Sequence, residues 1–516
     1  MTFAAPPRPP AADIAPRAAD LLPPSHTDPT AGRASRIIGG VWGRHAGVAP
    51  GSWWTPVRMV MAMTCFTLLL GFAQKSPCAT GQWTGNKQYT HMCYSDVVPL
   101  WGDERLDVGA VPYRDTSVEY PVLTGGFMWL TAEFTRALHK HHPTWTDFVI
   151  FGVPTVLLFS AVHALAANSP EVVIFGAVTA LLLSACGLMV TAGTAQAARR
   201  RPYDAAIFAL SPLLIIHAFS NWDLLAMALT SAALWAWARR HPVLAGTLIG
   251  LGAAAKLYPA FLLVAIAILA IRTRKYAPAG WAVLSAALVW LAVNVPIALA
   301  YYRGWSEFYR FSIDRPTERS TLWAMGRTLS SVGVGASDAP FWKPPGAAVA
   351  AVLLAALVIV AWIGLRAPVK PRLAQLVFLV VLAFLLTTKV WSPQYSLWLV
   401  PLLALARPRW RLNMVWQFTE IAVWFLTLTL LLGLNPGQPQ HGIGYGWLMV
   451  VLVARDVLLL SIAGLIMREM WRPELDVVRT GGVDDPGGGY FDGAPAWDVI
   501  AQAETSDARR NAMSAP

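Results

Sequence analysis

The chain has 516 residues, 56% of them hydrophobic and only 13% charged, with a formal charge of +11 at neutral pH. Soluble globular domains carry about a quarter charged residues, so this composition excludes an ordinary water-soluble protein. The positive excess sits in short clusters between apolar stretches, which reads as membrane-loop asymmetry and not as a nucleic-acid footprint.

Residues 1–56 are rich in Pro and Ala, with scattered Arg and no compact basic-then-apolar start. They read as a disordered cytoplasmic arm without a cleavable signal peptide. Apolar stretches long enough to cross a hydrocarbon core then recur, and in lipid such stretches fold as helices because backbone groups must be satisfied within the segment. The predicted spans are 57–74, 121–138, 147–167, 171–195, 203–219, 222–238, 242–255, 257–271, 279–300, 347–365, 373–388, 393–406, 412–433 and 446–467. The fold class is all-α, a polytopic membrane protein of about 12–14 transmembrane helices. Segments 121–138, 242–255 and 393–406 are candidates for re-entrant or broken helices. Residues 57–470 form one membrane domain, and the Gly/Asp-rich stretch 471–516 reads as a disordered cytoplasmic tail.

Basic clusters at 136–142, 199–201, 239–240, 272–275, 366–372, 407–411 and 468–472 all fall on one side of this scheme, together with both termini. The positive-inside rule makes that side cytoplasmic. The other face receives 74–120, 220–223, 256–259, 301–346, 389–394 and 435–445, of which 75–120 and 301–346 are long loops.

Most polar residues outside the clusters belong to that outer face. In the first loop, Cys78 and Cys93 can form a disulfide or remain free thiols. Asp96 in "SDVVPLW" and Glu119 in "VEYPVL" have apolar neighbours, which suits carboxylates held at the bilayer interface with raised pKa values. The other acids of this loop read as a solvated face. Asn221 and Asp223 form a turn in "SNWD", where Asp223 is either a helix cap or a ligand contact. Lys256 and Tyr258 follow in "AAAKLYP", with a snorkelling lysine as the plainer reading.

Arg303, Arg310, Arg315, Arg319 and Arg327 alternate with aromatics in the long loop, a surface suited to gripping lipid-phosphate oxygens. Lys389 opens "KVWSPQYSLWLVPL", with Trp391, Gln394 and Tyr395, and it stands on the side where positive charge is disfavoured. Glu420, Arg455 and Asp456 fall within the last two spans, where charge is expensive and partners are expected. They read as a structural ion pair, with a proton path as the rival. No G-x-x-x-x-G-K-[ST], H-E-x-x-H or dinucleotide fingerprint occurs, so neither metal nor nucleotide cofactor is expected.

The ordered motifs "CYSD", "VEYPVLTG", "NWD", "GLGAAAKLYP" and "KVWSPQYSLWLVPL" resemble those of the family 87 glycosyltransferases of the GT-C superfamily in actinobacteria. The resemblance implies transfer of a sugar from a polyprenyl-phosphate donor to a cell-envelope glycolipid or glycan at the extracytoplasmic face, without metal or nucleotide. Mannose is the implied sugar, and some relatives transfer arabinofuranose. It further implies a general base in the first outer loop, with Asp96 matching best and Glu119 second. Lys389 and Lys256 would then face the donor phosphate, with Arg303 and Arg319 nearby, while Tyr258, Asn221, Asp223, Trp391, Gln394 and Tyr395 shape the sugar or lipid pocket. The alternative is a multi-span transporter or flippase of a lipid-linked sugar, for which interrupted helices and Arg455–Asp456 speak.

Overall fold

A computed structural model of the protein describes residues 21–22, 27–39, 53–81, 83–140, 169–330, 343–435 and 441–496. The expected span 147–167 lies outside them. Long helices follow one another as α1 (Pro56–Lys75), α2 (Val122–Lys140), α3 (Glu171–Ala197), α4 (Asp223–Ala238), α5 (Pro242–Ala255), α6 (Leu262–Thr273) and α7 (Tyr276–Ala300). Two helices of the long loop, α8 (Tyr302–Asp314) and α9 (Leu322–Ser330), precede α10 (Gly346–Arg366), α11 (Leu373–Thr387), α12 (Ser396–Ala406), α13 (Trp410–Leu434) and α14 (Tyr445–Trp471). Among the described residues, six helices (α1, α3, α7, α10, α13 and α14) are long and apolar enough to cross a membrane. The protein is an all-α polytopic membrane protein.

Local chemistry sets the breaks. Pro56 and Pro242 open α1 and α5 where a missing N–H costs nothing. The expected span 203–219 is interrupted: a short helix ends at Ala209, and Ser211 then caps a new one at the Leu213 amide (3.2 Å) with Pro212 at its first position. Proline cannot donate to the preceding turn, so one apolar run becomes two short helices. α5 ends at Lys256, whose extended backbone leaves the helix while its amide still bonds Gly252 O (2.8 Å).

Burial sorts the helices into layers. α11 is buried on nearly every face, including Val377, Phe378, Val380 and Val381, and forms the centre with α12. α10 turns Leu354, Val358, Ile359 and Trp362 outward, and α7 exposes Trp281, Leu288 and Leu299, as lipid-facing helices do. α5 packs backbone to backbone on α7. A Cβ at Gly246 or Gly250 would collide with the carbonyls of Ala282 and Ala286, so these small residues four apart fix the helix that ends at Lys256.

One end of the bundle gathers basic clusters and both flanking segments. Arg372 reaches Asp476 with two bonds (2.6 and 3.1 Å) and also donates to Leu405 O (2.9 Å) and Ala406 O (2.6 Å). Asp485 accepts from the Leu373 amide at the start of α11 (2.7 Å), and Trp237 donates to Gly488 O (2.9 Å). At Gly489 the left-handed φ of +59°, with the Trp237 carbonyl against it, admits only glycine comfortably. The stretch from Arg472 to residue 496 is thus a packed strap, where composition suggested a disordered tail. Its acids are the partners of the basic cluster, and its glycines permit close approach. Within the expected disordered arm, a helix at Pro29–Gly39 forms, and Asp28 ahead of it accepts from the Trp410 amide (3.0 Å).

Candidate active site

At the other end of the bundle, turns from distant parts of the chain meet. Lys75, the last residue of α1, donates to Tyr94 O (2.7 Å) and Ser220 Oγ (3.0 Å). Cys78 and Cys93 are joined by a disulfide that closes the intervening stretch. Ser95 Oγ donates to Phe219 O (2.7 Å), and the Asp96 amide to Ser220 O (2.9 Å). Segment 94–96 is thereby fixed along the 219–221 turn, and Asp96 is presented beside Asn221.

The Asp96 carboxylate accepts from Tyr94 OH at Oδ1 (2.8 Å) and from Asn221 Nδ2 at Oδ2 (2.8 Å). The same amide nitrogen reaches Tyr120 OH (2.9 Å). Burial pushes the Asp96 carboxyl above its ordinary range; the two hydrogen bonds and the Lys256 charge pull it back, and Asp223 pushes it up again. A carboxylate that is held in place yet raised toward neutrality has the properties of a general base. Glu119 is half-buried next to Tyr120, and burial raises its pKa against the pull of Arg315.

Lys256 lies 3.4 Å from Asp223 Oδ1 and between the rings of Tyr120 (5.2 Å) and Tyr395 (5.4 Å). Burial alone would lower its pKa, but Asp223, Tyr395 and Asp96 outweigh burial and leave it raised, so it stays cationic. Asp223 is the first residue of α4, and its Oδ1 also accepts from Trp398 Nε1 (3.1 Å). Trp398 is stacked between Tyr258 (4.3 Å) and Tyr395 (4.2 Å), a three-ring wall behind the lysine.

The loop after α8 completes the chamber. Lys389 Nζ donates to the carbonyls of Ile313 (2.7 Å) and Arg315 (2.8 Å), so it caps the end of α8 and anchors this loop. The Glu318 amide donates to Lys389 O (2.9 Å), and the Glu318 carboxylate pairs with Arg315 (2.5 Å) and accepts from Ser392 Oγ (2.7 Å). Trp391 is buried, with its ring 3.8 Å beneath the Arg455 guanidinium.

The remaining candidates lie elsewhere. Arg303 is exposed on the first turn of α8, and Arg319 is half-buried, its carbonyl accepting from Tyr445 OH (2.6 Å). Gln394 sits half-buried on the turn that carries Tyr395. Arg455 pairs with Asp456 (2.9 Å) and donates to Ser320 O (2.8 Å), whereas Glu420 accepts from Trp416 Nε1 (3.0 Å). Within the expected charged trio, Arg455 and Asp456 form the ion pair, and Glu420 stands within electrostatic reach of both.

Several contributors were not singled out from the sequence: Lys75, Tyr94, Tyr120, Trp398 and Glu318. Tyr94 and Tyr120 do stand inside the quoted motifs "CYSD" and "VEYPVLTG". A groove of about 460 Å³ lined by Leu322, Trp323, Gly326, Arg327, Val352, Leu386 and Thr387 opens beside the docked loop. A cavity of only about 30 Å³ lies under the strap at the opposite end, too small for a sugar.

Residues 152–393 match the family model described as glycosyltransferase family 87. That stretch contains Asn221, Asp223, Lys256, Glu318 and Lys389, while Asp96 and Glu119 precede it. No curated protein matches the chain significantly. Over that stretch the chain is similar to the glycosyltransferases of family 87, and its helical architecture is that of a membrane protein.

Proposed function

We propose that the protein transfers a sugar, mannose in the first instance, from a polyprenyl-phosphate donor to a cell-envelope glycolipid or glycan on the extracytoplasmic face. The observation that carries this reading is the Asp96 carboxylate, oriented by Tyr94 and Asn221 within the electrostatic reach of Lys256. Asp96 takes the proton of the acceptor hydroxyl as its oxygen bonds to the anomeric carbon. The carbon–oxygen bond to phosphate breaks, its electron pair stays on that oxygen, and the lipid phosphate leaves as an anion. Lys256 and Arg315 supply the cations that receive it, so no separate acid is needed. The apolar groove beside α9 and α11 suits the prenyl chain.

Both termini are cytoplasmic in this reading, because the basic clusters at 199–201, 239–240, 366–372 and 407–411 share the end opposite Asp96 with the strap, although Arg136 instead donates to Leu106 O in the first loop. A flippase is the rival. Its strongest support, Arg455–Asp456 at membrane depth, weakens because Arg455 is already spent on Ser320 and Trp391. Purified full-length protein mixed with polyprenyl-phosphate-mannose and envelope glycolipid separates the two. Sugar transfer in detergent supports the enzyme; lipid translocation only in sealed vesicles, with no transfer, supports the flippase.

A further inference from the structure

Glu318 has no part in the base-and-phosphate scheme, yet the protein builds it into the chamber. It sits in the sequence "DRPTERS", where a carboxylate between arginines reads as a solvated loop residue. The fold treats it otherwise. Its amide is bonded to Lys389 O, its neighbour Ser320 donates to Trp391 O, and Tyr445 OH holds Arg319 O, so the backbone on both sides is fixed.

The carboxylate is used asymmetrically. Oε1 takes both Arg315 (2.5 Å) and Ser392 Oγ (2.7 Å). Oε2 is buried; among the described residues it accepts from no side chain, and the Trp391 amide is the one backbone donor turned to the carboxylate. Burial raises the Glu318 pKa, while Arg315 and Ser392 on one oxygen pull it back toward the ionised form, which can only accept. A buried acceptor left open in this way calls for a donor from outside the chain. Ser392, which donates to Glu318, opens the turn that carries Tyr395, and the Tyr395 ring lies 5.4 Å from Lys256. The open oxygen therefore borders the same chamber as the Lys256 wall, with Asp96 within electrostatic reach.

We propose that Glu318 Oε2 accepts a hydroxyl of the donor sugar, making Glu318 a substrate-binding residue that distinguishes the glycosylated lipid from the bare lipid phosphate. This rests on the polyprenyl-phosphate donor reading. The donor sugar is favoured over the acceptor because Glu318 is tied to Arg315, one of the two cations assigned to the leaving phosphate. A sugar bonded to that phosphate has its own hydroxyls within reach of the neighbouring carboxylate.

Binding measured without turnover tests it. Full-length protein carrying Asp96→Asn is titrated with polyprenyl-phosphate-mannose, polyprenyl-phosphate-arabinofuranose and bare polyprenyl phosphate, with and without Glu318→Gln. The expected result is that one glycosylated lipid binds more tightly than the bare lipid, and that Glu318→Gln cuts this preference roughly tenfold while bare lipid phosphate still binds. Equal weakening of all three lipids would mean that Glu318 only docks the loop, and an unchanged preference would mean that it touches no sugar; either overturns the proposal. If the Asp96→Asn protein with Glu318 intact binds none of the three, the donor reading itself fails and takes this proposal with it.

Discussion

Asn221 Nδ2 stands 2.8 Å from Asp96 Oδ2, although the two residues are 125 positions apart in the chain. This bond joins the first long loop to the start of α4 and helps set the ionisation of the candidate base. Removing the amide takes away a bond that stabilises the carboxylate, so the Asp96 pKa, already raised by burial, must rise further. A base works only when deprotonated. For Asn221→Ala the acidic limb of the activity profile should therefore move to higher pH, which a pH series of initial rates measures. An unshifted limb with reduced rate would assign Asn221 to folding alone.

Lys256 and Lys389 should separate in kinetics. Lys256 faces the chamber, so Lys256→Ala should raise the donor KM and lower the rate, a loss of about 1.5–3 kcal/mol for a charge-assisted contact. Lys389 holds the backbone of the Arg315 loop. Its alanine variant should make the 315–321 segment more sensitive to protease and impair donor use only through that loosening. Intact protease resistance with impaired donor binding would return Lys389 to direct phosphate contact.

At the opposite end, Arg372 and Asp476 are both almost fully buried. Asp476→Ala leaves a buried guanidinium without its carboxylate, a change that costs about 3–5 kcal/mol in comparable pairs. The expected outcome is a lower apparent melting temperature in detergent and a protease-accessible strap. A variant that melts like the parent would show that the strap is dispensable to the bundle.

Much of the fold was legible because the membrane forces long apolar runs into helices, and runs such as 171–195 and 412–433 have no other solution. The break inside 203–219 was visible only as Ser211–Pro212, a local cap signal overridden in the reading by the apolar run around it. The strap was hidden because glycine and aspartate look disordered until their partners Trp237, Arg372 and the α11 amide are known. In the site, Asn221, Asp223, Lys256 and Tyr395 stood out as polar residues at the ends of apolar spans, and the fold brings them together. Glu318 and Lys75 did not stand out. One lay in a highly charged loop and the other looked like a helix-end anchor, and only contacts across more than 70 residues give them a place.

The two loop carboxylates divide next. Glu119 has Arg315 as its main countercharge and no part in the Asp96 hydrogen-bond set, so Glu119→Gln should reduce turnover mildly, by less than Asp96→Asn does. A dead Glu119→Gln enzyme beside a normal Asp96→Asn enzyme would exchange their roles.

The central claim is that Asp96 is the base, and single-turnover sugar transfer by Asp96→Asn with donor binding measured in parallel tests it most directly. Asparagine keeps the size of the side chain and one acceptor oxygen for Asn221, its amide can donate to the Tyr94 hydroxyl oxygen, and it cannot take the acceptor proton. The account predicts donor binding close to that of the parent and transfer slowed by about 10²–10⁴-fold. Transfer at the parental rate by a variant that binds donor normally would contradict it.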